Sequence, residues 1–167
     1  EKKQKIIDKM NSEDYNLDNK INDEKKIFTP SKQQINEIKE ILNLLGIEYI
    51  ESEYEAAPIC AKLVIENIGY CVVSQDMDLL TFGSKILIKD LSSSKKFKEI
   101  NLIKLLDELN LKYIEFIDLC ILLGSDYCPK IPKIGEKTAL NLIKKYKSID
   151  NFLKNEGNKY KIPENYN

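Results

Sequence analysis

The apolar positions of this chain repeat every three to four residues at first, then gather into short unbroken runs, then return to the longer period. Ile35, Ile38, Ile41, Leu42 and Leu45 follow helical spacing. Ser31 and Gln34 stand ahead of them in a capping-box pattern, and Gly46 follows as a stop signal. Ile47 to Ile50 reads as a short strand, and a second helix carries Ile59, Cys60, Leu63, Val64 and Ile68. The run Gly69 to Ser74 is β-branched and aromatic and too short for a helix, which predicts a strand buried on both faces. Lys85 to Lys89 predicts a further strand, and Asn101 is placed to cap a helix through Leu109. From Lys112 onward only helical periodicity remains, over Tyr113 to Gly124, Glu136 to Tyr146 and Ser148 to Leu153.

Strand and helix in alternation predict an α/β fold, with right-handed βαβ connections and a largely parallel, Rossmann-like sheet. Ligands gather beyond the carboxyl ends of the strands in such folds. The helical second half then flanks the sheet. Residues 1–28 are rich in Lys, Asp, Glu and Asn, with Ile6, Ile7 and Met10 at loosely helical spacing. They read either as a charged helix followed by a solvated linker or as a flexible tether.

Composition narrows the chemistry. With 43% hydrophobic residues among 167, the chain can bury the core of one ordinary domain. Its 26 basic and 27 acidic side chains give a formal charge of -1, so contact with nucleic acid has to be local. The absence of histidine excludes imidazole general bases, the Ser-His-Asp triad and every His-containing zinc site. Cys60, Cys71, Cys120 and Cys128 lie in or beside apolar runs without Cys-x-x-Cys spacing, which predicts buried thiols in a reducing compartment. No apolar stretch approaches the roughly 20 residues of a membrane span, and no apolar secretion core follows the charged start. A soluble, intracellular protein is expected, and a start at Glu1 without methionine reads as a piece of something longer.

Three aspartates stand out. Asp76 and Asp78 lie in Ser74-Gln-Asp-Met-Asp-Leu-Leu80, just past the strand expected at 69–74, and Asp126 lies in Leu122-Leu-Gly-Ser-Asp-Tyr-Cys128. Carboxylates held on rigid elements suit hard divalent cations, and on extended backbone Asp76 and Asp78 face the same way. Alone, Asp-x-Asp is as well read as a solvated turn, and Gly-Ser-Asp as the end of a helix. An EF-hand is excluded because Thr81 stands where that loop needs glycine.

Asp76-Met-Asp-Leu-Leu-Thr-Phe-Gly83, Cys120-Ile-Leu-Leu-Gly-Ser-Asp-Tyr-Cys128 and Ile134-Gly-Glu-Lys-Thr-Ala139 together closely resemble the flap endonuclease branch of the structure-specific 5′ nucleases, the xeroderma pigmentosum group G type. The resemblance runs from about Lys32 to Asn165 and implies the C-terminal half of a nuclease domain with a PIN-like core. On that resemblance, residues 1–28 are a linker or the end of a helical arch, residues 29–111 the α/β core and residues 112–167 the helical DNA-binding part.

The resemblance further implies two magnesium ions, replaceable by manganese, on Glu55, Asp76, Asp78 and Asp126, with the three aspartates catalytic. The family's Glu-Ala-Glu-Ala is Glu55-Ala56-Ala57-Pro58 here, so its second glutamate is Ala57, and Pro58 is expected to displace the helix start. Pairing Glu53 with Glu55 is an alternative that costs a two-residue shift. The family's N-terminal aspartates do not occur in these residues, so this chain by itself is expected to have little or no catalysis.

Ile131-Pro-Lys-Ile-Gly-Glu-Lys-Thr-Ala139 resembles the family's helix-hairpin-helix, which implies DNA contact through Lys130, Lys133, Gly135, Lys137 and Thr138, with potassium at the hairpin. Lys133 stands where that motif commonly has glycine. A plain helical connection with surface lysines is the alternative. The implied partner is branched or flapped double-stranded DNA in the nucleus, in replication and repair, with a sliding clamp met through a C-terminal segment outside these residues. A noncatalytic junction-binding module and a purely protein-binding helical half are the rival readings.

Overall fold

The computed structural model describes residues 2–12, 15, 20–91, 96–125, 128–163 and 166, in two compact units, Glu1–Glu51 and Ser52–Asn167.

In the first unit, α1 (Lys2–Met10) packs on α2 (Lys20–Ile27). Asp23 of α2 is buried, and a buried carboxylate needs partners. Lys9 supplies an ion pair at 3.2 Å, and the Tyr15 hydroxyl donates to the same oxygen at 3.3 Å. The charged segment thus carries two helices joined through one carboxylate.

α3 (Lys32–Leu44) begins and ends where its cap residues dictate. The Gln34 N–H donates to Ser31 Oγ, and the Ser31 N–H to Gln34 Oε1, at 3.2 and 2.9 Å. Gly46 takes φ +67°, which lets its N–H reach Asn43 O and the Ile47 N–H reach Leu42 O. No residue of α3 is buried, so Ile35, Ile38 and Ile41 remain exposed. Ile47 to Ile50, expected as a strand, is not one: among the described residues no strand pairs with it, and Ile47, Tyr49 and Ile50 are exposed.

The second unit runs α4 (Ala56–Ile65), β1 (Val72–Val73), α5 (Asp78–Thr81), β2 (Ile86–Lys89), β3 (Lys98–Asn101) and α6 (Leu102–Leu109). β1 and β2 are parallel, with Val72 beside Leu87, and β2 and β3 antiparallel, with Leu87 beside Ile100. The sheet is therefore small and mixed, not largely parallel. Its third strand, Lys-Glu-Ile-Asn, is too polar to announce itself. Asn101 ends that strand and also caps α6, its Oδ1 accepting the Lys104 N–H at 3.1 Å. Val72 and Leu87 face a core with Ala61, Val64, Leu79, Leu80, Leu102 and Phe116. On the opposite face Val73 is 52% exposed, so among the described residues β1 is buried on one face only, contrary to the sequence expectation.

α7 (Tyr113–Leu123) joins the two cores of this unit, since Phe116 enters the sheet core while Leu119 and Leu122 enter a helical one. α8 (Glu136–Tyr146) and α9 (Ile149–Glu156) complete the helical core with Ile131, Ile134, Ile143 and Phe152. Polar anchors fix the angles between these helices. Asp118 of α7 accepts the first N–H of α9, at Ile149, and Glu156 of α9 accepts from Lys145 and the Tyr146 hydroxyl at 2.8 and 2.7 Å. The cysteines are free and half-buried, less enclosed than expected, with Cys60 and Cys120 against the sheet core.

Candidate active site

Asp76 and Asp78 project from the turn that leaves β1. The Ser74 N–H still pairs with Ile88 O at 3.0 Å; beyond it the chain bends, so the two carboxylates do not ride on extended backbone as expected. Asp76 lies in the bend, with its N–H on Ser74 Oγ at 3.1 Å. Its own Oδ1 accepts the Asp78 N–H at 2.9 Å, a turn that starts α5 with Asp78 in its first position. The Thr81 hydroxyl donates to Asp78 O, and the Tyr113 hydroxyl to Thr81 O, each at 2.6 Å. One hydroxyl of α7 thus holds the acidic turn against the helical half.

Asp78 faces a cavity of about 360 Å³ lined also by Thr81, Phe82, Ile117, Cys120, Gly124 and Ser125. Cys120 registers that proximity, its thiol pushed up to about 11 by burial first and by the Asp78 charge second. Asp78 of the acidic turn and the Gly124-Ser125 pair, far apart in sequence, meet at this cavity. Asp126 lies outside the described residues, as does Tyr127. Among the described residues no three acidic or cysteine side chains form a cluster able to hold a metal.

Gly124 ends α7 at φ +95° and ψ 139°, a conformation that favours glycine. A Cβ there would lie 3.1 Å from Lys130 Cβ and 3.3 Å from the Lys130 backbone. The glycine therefore lets the hairpin pass close behind the cavity.

Glu55 is the N-cap residue of α4, exposed, with Ser52 Oγ donating to its carbonyl at 3.0 Å. Pro58 does not displace the helix start as expected. It sits in the first turn of α4, where backbone N–H groups have no intrahelical partner to lose. Ala57 is half-buried and packs toward the sheet core.

The hairpin between α7 and α8 turns through Ile131, Pro132, Lys133 and Ile134, closed by Ile134 N–H to Ile131 O at 3.3 Å. Lys133 takes φ +69°, which explains why glycine suits that place. Ile131 and Ile134 are buried and anchor the turn, while Lys130, Lys133 and Lys137 are exposed and Thr138 is half-buried. Gly135 is the N-cap of α8 and caps with no side chain, and nothing lies within 4 Å of a Cβ built on it. The first N–H groups of α8 thus stand beside open space with Lys133 and Lys137 exposed nearby in sequence, a setting suited to phosphate.

Sequence reasoning missed the groups that hold these pieces. Tyr113, Gln75 and Asp118 act through polar contacts whose partners are distant in sequence, which no local period reveals. Only Glu115 left a local trace, three residues after Lys112, whose N–H it accepts at 3.0 Å.

The description "XPG I-region" belongs to a family whose model matches residues 46–126, a span that holds both the acidic turn and the Gly124-Ser125 turn. Flap endonuclease 1 of Homo sapiens is 44% identical over 147 residues, covering 85% of this chain and 39% of that protein. Flap endonuclease 1 of Aedes aegypti is 43% identical over 173 residues, covering 100% and 45%. Among solved structures, the catalytic core of Rad2 in complex with DNA substrate matches at a TM-score of 0.72 and 28% identity, over 78% of this chain and 42% of that one. Flap endonuclease-1 from Methanococcus jannaschii, 24% identical, shares the fold at a TM-score of 0.66 over 95% of this chain and 53% of that one. The chain spans about two fifths of the length of the curated relatives it matches. Motifs, fold and relatives agree, and the chain belongs to the flap endonuclease branch of the XPG nuclease family.

Proposed function

We propose that this chain is the C-terminal half of the nuclease domain of a structure-specific 5′ flap endonuclease, an enzyme that hydrolyses DNA phosphodiesters where single strands meet duplex. The observation that carries the reading is the shared cavity: Asp78 and the Gly124-Ser125 turn line one space beyond the carboxyl end of β1, where α/β folds bind ligands. Asp126 follows Ser125 in sequence, and the proposed ligand set is Glu55, Asp76, Asp78 and Asp126.

Donor chemistry supports that set. Every proposed ligand is a carboxylate, histidine is absent, and the nearby Cys120 thiol stays protonated at neutral pH, a combination suited to magnesium or manganese and unsuited to zinc. Two such ions, when bound, supply an activated water and charge stabilisation at the scissile phosphate. The chain's own part is to aim carboxylates from one braced turn and to hold duplex backbone at the hairpin through Lys130, Lys133, Gly135, Lys137 and Thr138. Carbonyl oxygens of that turn are the proposed seat of a potassium ion. A nuclear role in replication and repair, and a sliding clamp met through a further segment, complete the proposal.

In a protein carrying the complete nuclease domain, Asp126→Asn should lower flap cleavage at least about 100-fold with junction affinity nearly unchanged, the pattern of a group used in the transition state. Undiminished turnover refutes the assignment. Ala57 favours a second reading, a junction-binding pseudo-nuclease, because a methyl group packed toward the core cannot orient a metal or its water. That reading predicts salt-sensitive duplex binding without hydrolysis at any magnesium or manganese concentration.

A further inference from the structure

The side chain next to Asp76 ties the acidic turn to the sheet through polar contacts. Past Ser74 the β1 backbone leaves the ladder, and the Gln75 amide takes the next rung. Turned so that Nε2 faces the Asp90 carboxylate, it donates to Asp90 Oδ1 at 3.1 Å and accepts the Asp90 N–H at 3.0 Å. Asp90 follows the last residue of β2 and sits at φ +57°, a left-handed conformation uncommon outside glycine, so an outside partner helps to hold it. Its other carboxylate oxygen pairs with Lys98 of β3 at 3.1 Å. Lys98 is the main reason the Asp90 carboxyl lies below its ordinary range, with Gln75 adding to the effect. A polar strap, Gln75 to Asp90 to Lys98, therefore crosses the sheet from the end of β1 to the start of β3.

The Ser74, Asp76 and Thr81 bonds run within the turn and fix its shape. Leu79 and Leu80 seat α5 in the sheet core, and the Gln75 amide adds a polar tie to the end of β2 from the position next to Asp76. We propose that Gln75 is a positioning residue, setting through Asp90 the direction in which the acidic turn presents Asp78 to the cavity and Asp76 beside it; the consequence for metal rests on the two-metal reading given above.

The test is a charge-swap cycle in this 167-residue chain. Gln75→Glu sets a carboxylate against Asp90 and should release the strap. Asp90→Asn keeps both contacts with Gln75, because the asparagine side-chain oxygen and the backbone N–H remain, and gives up the ion pair with Lys98; exchange at Asp76 and Asp78 should stay near the parent's. Together the two substitutions should restore the strap, since the introduced carboxylate can accept from both the new side-chain amide and the backbone N–H at position 90.

The first readout, independent of metal, is amide hydrogen exchange at Asp76 and Asp78 by NMR. Gln75→Glu should speed it about fivefold to tenfold, the effect of roughly one net hydrogen bond, and the double variant should bring it back. The second is manganese affinity by electron paramagnetic resonance, expected to weaken severalfold in Gln75→Glu and recover in the double variant. Unchanged exchange in Gln75→Glu, or no recovery in the double variant, overturns the positioning role. Exchange that follows the cycle while the parent binds no manganese upholds the strap and shows that the carboxylates of this chain do not hold the ion by themselves.

Discussion

Replacing Gly124 by alanine tests whether the close passage of the hairpin behind the cavity is built into the fold. Two costs add. The residue holds φ +95° and ψ 139°, where an L side chain is strained by about 1–3 kcal/mol. Its new methyl would stand 3.1 Å from Lys130 Cβ and 3.3 Å from Lys130 backbone atoms, which cannot swing aside as a flexible side chain would. Overpacking of that kind costs about 1–3 kcal/mol, against which the stiffer unfolded chain returns only about 0.4–1. The net loss is about 3 kcal/mol, and at roughly 4 °C per kcal/mol for a unit of this size the melting midpoint should drop by about 10 °C. Circular dichroism at 222 nm follows it directly in a chain without tryptophan, and the Lys130 amide resonance reports the local displacement. A midpoint within about 3 °C of the parent, with the Lys130 resonance unmoved, would refute the steric argument.

Three further substitutions separate folding from binding. Lys133→Gly should leave the midpoint unchanged or higher, because glycine relieves φ +69°, while weakening duplex binding and reducing the salt slope of log K by about one; lower stability with full affinity would overturn the hairpin assignment. Gly135→Ala meets no atom within 4 Å, so thermal melting should hardly move, yet a methyl at the open end of α8 should weaken DNA binding measured by fluorescence anisotropy. Affinity equal to the parent's would remove phosphate from that site. Glu156 is held at about 2, below its ordinary 4.5, by Lys145 first and Tyr146 second. Its stabilising contacts are therefore fully present above pH 4.5 and lost as pH falls toward 2, and Glu156→Gln should flatten that acid limb in urea melts across the range.

What could be read from the sequence divides along a physical line. The helices of the second half have their expected limits within a few residues because a helix satisfies most of its backbone internally and its ends are marked by local chemistry. Ser31 with Gln34 and Asn101 cap as their positions foretold, and Ser148, read as the first residue of the last helix, is its cap. The acidic turn was legible as a place and not as a shape. Asp-x-Asp on extended chain and Asp-x-Asp in a bend share one spelling, and the choice was made by Ser74 Oγ and by Asp76 closing on Asp78. Pro58 illustrates the opposite error: read alone it disrupts a helix, but in the first turn it forfeits no hydrogen bond.

Strands were the weak point, and Ile47 to Ile50 shows why. Its alternation of isoleucine and tyrosine with glutamate is as strand-like as anything in the chain, yet it pairs with nothing among the described residues, while the polar Lys-Glu-Ile-Asn of β3 does pair. A strand's hydrogen bonds belong to its neighbour, so strand character in a sequence states a capacity and not an outcome. The same argument covers Val73, apolar and half exposed on the uncovered face of β1, and the α3 isoleucines, which are amphipathic in pattern and buried nowhere in their unit. In each case the side chains are fitted for contact that the described residues do not supply. The acidic turn is an exception for a mechanical reason. Tyr113 braces it from α7 and Asp90 from β2, both within one unit, so its geometry does not wait on any further surface.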